Sequence, residues 1–166
     1  MKALLVPVSS KLRSWTRPVV FVLSGVMFLV VLAQVIFRYI LEHPLPWSEE
    51  LARYLMIWTA CLAAADAYAK GAHVGVTLVT GAVKPEIRRW MFLGVHLSVA
   101  VLMGVVCFQG TKLALLLGDQ RSPAMGLSIS WAYLAVPVGA AVTVLHALRL
   151  FFEQLHSSDA VCGLGE

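Results

Sequence analysis

A chain of 166 residues with 60% hydrophobic and 13% charged residues cannot coat a water-soluble globule; soluble domains run at about 45–50% apolar and about 25% charged. This composition, with a mean hydropathy of +0.82, excludes a soluble enzyme, a nucleic-acid binder and a disordered tail. The formal net charge of +4 is therefore read first as membrane topology, because Lys and Arg concentrate on the cytoplasmic side.

The first apolar run, Val19 to Phe37, holds 19 residues without a formal charge, enough to cross a hydrocarbon core of roughly 30 Å. Lys2, Lys11, Arg13 and Arg17 precede it as in a signal peptide. The run is too long for a signal h-region and no cleavage site follows, so a retained signal-anchor helix over about 19–39 is expected, with Pro18 near its first turn. The segment Leu41–Trp47 contains Pro44 and Pro46 and cannot continue that helix. Ser48 reads as an N-cap, with Glu49 and Glu50 in the first turn of a second span over about 49–69. Its uncharged centre, Tyr54 to Ala65, is short; Arg53 snorkels toward one interface, and Asp66 and Lys70 lie near the other.

The stretch Val74 to Val83 is too short to cross and too apolar for a solvated loop, which points to a short interfacial helix over about 74–83. Lys84, Arg88 and Arg89 follow, placed for lipid headgroups, and then a third span over about 90–117. Gly118–Gly126 has turn chemistry throughout. A fourth span over about 130–152 carries Pro137, where a kink is expected. Trp15, Trp47, Trp90 and Trp131 fall near span ends as an interfacial belt. Small residues recur in the second span (Ala60, Ala63, Ala64, Ala67) and the fourth (Ala132, Ala135, Gly139, Ala140), as close helix contact requires.

The N-terminus, the 70–89 connection and the C-terminal end hold nine Lys and Arg residues, and the other connections with their flanks hold four. The positive-inside rule then puts both termini in the cytoplasm. The fold class is all-α integral membrane: four transmembrane helices, N-in and C-in, in one membrane domain over 1–166.

Arg38, Glu49, Glu50 and Arg53 gather near the outer surface beside Trp47. Glu49 and Arg53 have the spacing of a helical ion pair, and Arg38 is placed to meet Glu50 across the turn. The grouping suits a network that ties two helix ends and equally a docking surface for an external partner. Asp66 lies four residues from Lys70, so a local ion pair explains it better than ion coupling. His96 and His146 fall within a few turns of the cytoplasmic interface, where two facing imidazoles hold haem iron in b-type membrane cytochromes. An electron-transfer anchor binding haem b is therefore the alternative function. His73 reads as an interhelix hydrogen-bonder. Cys61, Cys107 and Cys162 form no disulfide framework or CxxC pattern. No Ser-His-Asp arrangement, HExxH or phosphate loop is present, so no enzyme, no metal and no cofactor are expected. The residues describe a membrane subunit that works through a partner.

Phe37-Arg-Tyr39, Pro46-Trp-Ser-Glu-Glu-Leu-Ala-Arg53, Ile57-Trp58 and Gly71-Ala-His73 resemble the small permease subunit of tripartite ATP-independent periplasmic (TRAP) transporters, the DctQ-like subunit. Gln120-Arg-Ser-Pro-Ala-Met-Gly126, Trp131-Ala-Tyr133 and Val136-Pro-Val-Gly139 are similar to that family's fourth-span region. The resemblance covers about residues 18–150. It implies a large permease subunit that holds the substrate and sodium sites and moves by an elevator mechanism. It implies also a soluble periplasmic binding protein that delivers an organic anion, carboxylate or sulfonate, for sodium symport. In that scheme the small subunit sits in the inner membrane of a bacterial cell, scaffolds the large one and adds outer docking surface. Trp47, Glu49, Glu50 and Arg53 match the family's outer motif, and His73 its cytoplasmic-side histidine. The glycine often found late in the family's second helix is replaced here around Ala64–Asp66.

Overall fold

The computed structural model describes the backbone of residues 2–70 and 85–156 and the side chains of residues 11–12, 14–70 and 90–155. Among the described residues five helices carry the fold: α1 (Lys2–Tyr39), α2 (Pro46–Ala69), α3 (Pro85–Leu116), α4 (Ser130–Tyr133) and α5 (Ala135–His156). The described residues contain no strand, only an isolated bridge between Arg121 and Ser128. The expected interfacial helix over 74–83, with His73 and Lys84, lies outside the described residues, as do the side chains of Arg88 and Arg89, whose backbone is in α3.

Among the described residues three segments are long and apolar enough to cross a membrane: Ser14–Tyr39, Trp90–Leu116 and Ser130–Leu155. The 24 residues of α2 would reach about 36 Å at 1.5 Å per residue. Its length suffices; its charged ends keep it less apolar than the other three.

α5 is the hub, packing against α1, α2 and α3. Side-chain size explains this. Ala135, Ala140 and Ala147 are buried, and Gly139 approaches α2 so closely that a Cβ there would stand 2.8 Å from Cys61 Cβ and 3.0 Å from the Cys61 carbonyl oxygen. Cys61, Leu62 and Ala65 therefore form the packed face of α2, while Ala60, Ala64 and Ala67 stay exposed. α1 is peripheral: Thr16 is its one buried residue among those described, and Phe21 and Phe28 are well exposed.

Three local expectations need correction. α1 does not begin at Pro18 but runs through it from Lys2. The hydrogen bond that proline cannot donate falls on the carbonyl of exposed Ser14, where solvent or headgroups serve it. Ser48 is not the N-cap of α2. The helix starts at Pro46, whose fixed φ suits the first position, and the Ser48 hydroxyl donates back to the Leu45 carbonyl at 2.7 Å. In the last span the disruption lies at Leu134, about one turn before Pro137, because the proline ring meets the carbonyl four residues earlier, on Tyr133. Gly110 of α3 makes room for that ring, with Pro137 Cδ 3.3 Å from where a Cβ would sit.

Candidate functional site

The α1–α2 turn and the α3–α4 loop share one end of the molecule, and there the polar side chains converge. α1 closes with Glu42 in the left-handed conformation (φ 55°) and the His43 amide donating to the Phe37 carbonyl at 3.0 Å. Proline then starts α2 at once, so Trp47, Glu49, Glu50 and Arg53 stand on its first two turns. Trp47 is exposed. Glu49 and Arg53 pair along the helix, Nη2 to Oε1 at 3.0 Å, with both side chains open to solvent. Such a pair contributes about 0.3–0.5 kcal/mol.

Glu50 behaves differently. Its carboxylate turns toward the α3–α4 loop and accepts the Ser122 hydroxyl, the Ala124 amide at 3.2 Å and the Met125 amide at 3.0 Å. The expected contact with Arg38 does not form, because both oxygens of Glu50 are occupied by residues more than seventy positions away. Arg38 instead lies over its neighbour's ring, with Cζ 5.9 Å from the Tyr39 centroid.

The loop is also held from within. Ser122 N donates to Leu127 O at 2.7 Å and Gly126 N to Ser122 O at 2.9 Å, with Gly126 at φ 65°. Ile129 N reaches Gln120 O at 2.9 Å, Ser128 Oγ reaches Gly118 O at 2.8 Å, and Arg121 Nη1 reaches Gly126 O at 3.1 Å. One turn deeper, Trp58 Nε1 donates to Trp131 O at 3.0 Å, beside the helix break. Between α2 and α4–α5 lies a cleft of about 600 Å³, with Arg53, Tyr54 and Tyr133 among its lining and Ile57, Ala132 and Val136 further down.

The opposite end holds a second polar group. Asp66 is 7% exposed. Its Oδ2 lies 2.6 Å from Lys70 Nζ on the same helix and 3.8 Å from Arg17 Nε of α1, so one carboxylate ties α1 to α2. The Tyr68 hydroxyl hydrogen-bonds His96 Nδ1 at 2.7 Å, joining α2 to α3, and Phe92 stacks on the same imidazole. His146 is 1% exposed within α5. Arg149 and Glu153 pair at 2.8 Å near the end of α5. No group of three or more His, Cys, Asp or Glu able to hold a metal ion occurs among the described residues.

Ser122 and Tyr68 carry bonds that sequence reasoning did not assign. Ser122 lies in the Ser-Pro-x-x-Gly element, whose turn chemistry was visible but whose partner was not. Tyr68 pairs 28 positions away and left no local signal.

The sequence model of the family described as tripartite ATP-independent periplasmic transporters, DctQ component, matches residues 27–157. The sialic acid TRAP transporter small permease protein SiaQ of Vibrio cholerae is 28% identical over 130 residues, covering 78% of this chain and 75% of that protein. The C4-dicarboxylate TRAP transporter small permease protein DctQ of Rhodobacter capsulatus is 29% identical over 111 residues, covering 65% and 48%. The sialic acid TRAP transporter permease protein SiaT of Haemophilus influenzae is 27% identical over 143 residues, covering 84% of this chain and 22% of that longer protein.

Proposed function

This chain belongs to the DctQ component family of tripartite ATP-independent periplasmic transporters, and from that premise we propose that it is the fixed membrane scaffold of a sodium-coupled importer of an organic anion. It holds a large permease subunit and adds docking surface for a soluble periplasmic binding protein. The substrate and the sodium ions are handled by those partners. The relatives named for sialic acid and C4-dicarboxylate transport support an acidic organic substrate.

The observation that carries the reading is the joint position of the family match and the polar end of the fold. The match spans both the start of α2 and the α3–α4 loop, and Glu50 of α2 ties the one to the other. In this reading α2 also crosses the membrane, as the second of four spans. Its exposed Ala60, Ala64 and Ala67 give a helix of the permease a close approach, and exposed Trp15, Trp47, Trp90 and Trp131 anchor the bundle at both interfaces. Both termini lie in the cytoplasm of the bacterium, and Lys84, Arg88, Arg89 and His73 belong to that face, where anionic headgroups meet them. Asp66, Lys70 and Arg17 close the same end as a structural network.

Charge reversal at the outer face tests the reading. Glu49→Lys breaks an exposed pair and leaves the fold intact, since such pairs contribute little to stability. Substrate uptake by cells carrying the complete transporter is expected to fall by about threefold or more, with the large permease still assembled. Unchanged uptake, with assembly unchanged, removes Glu49 and Arg53 from the docking surface.

A further inference from the structure

We infer that the turn over residues 121–127 is the element of this chain that meets the soluble binding protein, that Arg121 is its contact for a carboxylate of that partner, and that Glu50 is a positioning residue that shapes the turn without touching the partner. The inference rests on the docking role proposed above and gives it an address.

The cations on this side differ in their partners. Positively charged residues are disfavoured at an outer face, and Arg38, Arg53, Lys112 and Arg121 are the four found toward it. Three are matched by a carboxylate or a ring: Arg53 pairs with Glu49, Arg38 lies over Tyr39, and Lys112 Nζ sits 4.3 Å from the Phe108 centroid. Arg121 is exposed, donates to the Gly126 carbonyl, and forms no ion pair among the described residues. A guanidinium held at the rim of a turn, with most of its five N–H donors left over, is a receptor for an oxyanion.

The turn is also firmly held. An exposed loop normally has little reason to be so heavily tied. This one is fixed by three bonds to Glu50 and by its own Ser122–Leu127 and Gly126–Ser122 bonds. Its tip, with Pro123, Ala124 and Leu127, remains exposed. A surface already held in its bound shape loses less conformational freedom when a partner arrives. Because both oxygens of Glu50 face into the loop, its contribution passes through the shape of the turn alone. A flexible polar tip would show the opposite pattern, with free amides and a mobile arginine.

The test uses the intact complex of this chain with its large permease in nanodiscs, and follows binding of the soluble binding protein at two salt concentrations. Arg121→Glu is expected to weaken binding by about tenfold or more, Arg121→Lys by less, and Arg121→Ala to flatten the salt dependence. A nitroxide placed at Ala124→Cys reports the turn. Glu50→Gln is expected to raise its mobility and to weaken docking, while the large permease stays bound. Wild-type docking together with undiminished docking of Arg121→Glu overturns the inference and leaves the scaffold reading standing. Loosening of the turn by Glu50→Gln without loss of docking overturns the positioning role. A wild-type complex that binds no soluble partner overturns the docking reading and this inference with it.

Discussion

Gly139→Leu is expected to prevent this protein from accumulating in the membrane as a folded bundle, and Gly139→Ala to destabilise it by about 2–3 kcal/mol. The reason is the crossing of α5 and α2. A single Cβ at position 139 would stand 2.8 Å from Cys61 Cβ and 3.0 Å from the Cys61 carbonyl oxygen. Neither atom is the far end of a flexible side chain, so the two helices must separate to admit it. Overpacking generally costs about 1–3 kcal/mol, and backbone-to-backbone contact puts this case at the upper end or beyond. Two other glycines supply the comparison. Gly110→Ala meets only the Pro137 ring, at 3.3 Å, and is expected to change stability by less than about 1 kcal/mol. Gly104 has nothing within 4 Å of a built Cβ, so alanine there is expected to be neutral or slightly stabilising. Thermal loss of the monodisperse peak in detergent gives the ranking. Equal midpoints for Gly139→Ala and Gly104→Ala would show that α5 and α2 do not cross at that contact.

Asp66→Ala is the second large effect. Asp66 carries the links from α2 to Lys70 and to Arg17 of α1, and α1 otherwise packs against α2 and α5. Breaking a fully buried ion pair costs about 3–5 kcal/mol. Here Arg17 and Lys70 are 56% and 44% exposed in their side chains and can turn to headgroups, so about 1–3 kcal/mol is expected. Asp66→Asn should fall between. On the function proposed above, the sodium dependence of uptake is expected to be unchanged in Asp66→Asn, because the carboxylate faces Lys70 and Arg17 at the helix contact. Rates measured against sodium concentration check this; an altered sodium stoichiometry would place Asp66 in the transport chemistry.

Much of the architecture was legible because it follows from composition over long windows. The apolar runs at 19–37 and 90–117 and the Pro44–Pro46 break depend on local chemistry alone, and three long apolar helices answer to that chemistry. The motif around Trp47 and Arg53 was likewise visible, and the family match covers it. What stayed hidden is pairing across the chain. Arg38 looked like the partner of Glu50 because it is near in sequence. The actual partners, Ser122, Ala124 and Met125, are brought in by the packing of α5 between α2 and α3. The small residues show the same limit. Ala60, Ala64 and Ala67 and their neighbours Cys61, Leu62 and Ala65 are all compatible with close contact. Only the crossing at Gly139 decides which set faces inward. Pro137 announced a disruption, and the geometry of its ring moved it back to Leu134.

The role proposed for this chain is that of a scaffold for a larger permease. The most direct measurement is to tag the chain, extract it gently from its native membrane and identify by mass spectrometry what purifies with it. A multi-span permease in near-equal amount is the predicted result. A chain that purifies without such a permease, or that carries substrate across liposomes unaided, would contradict the scaffold account.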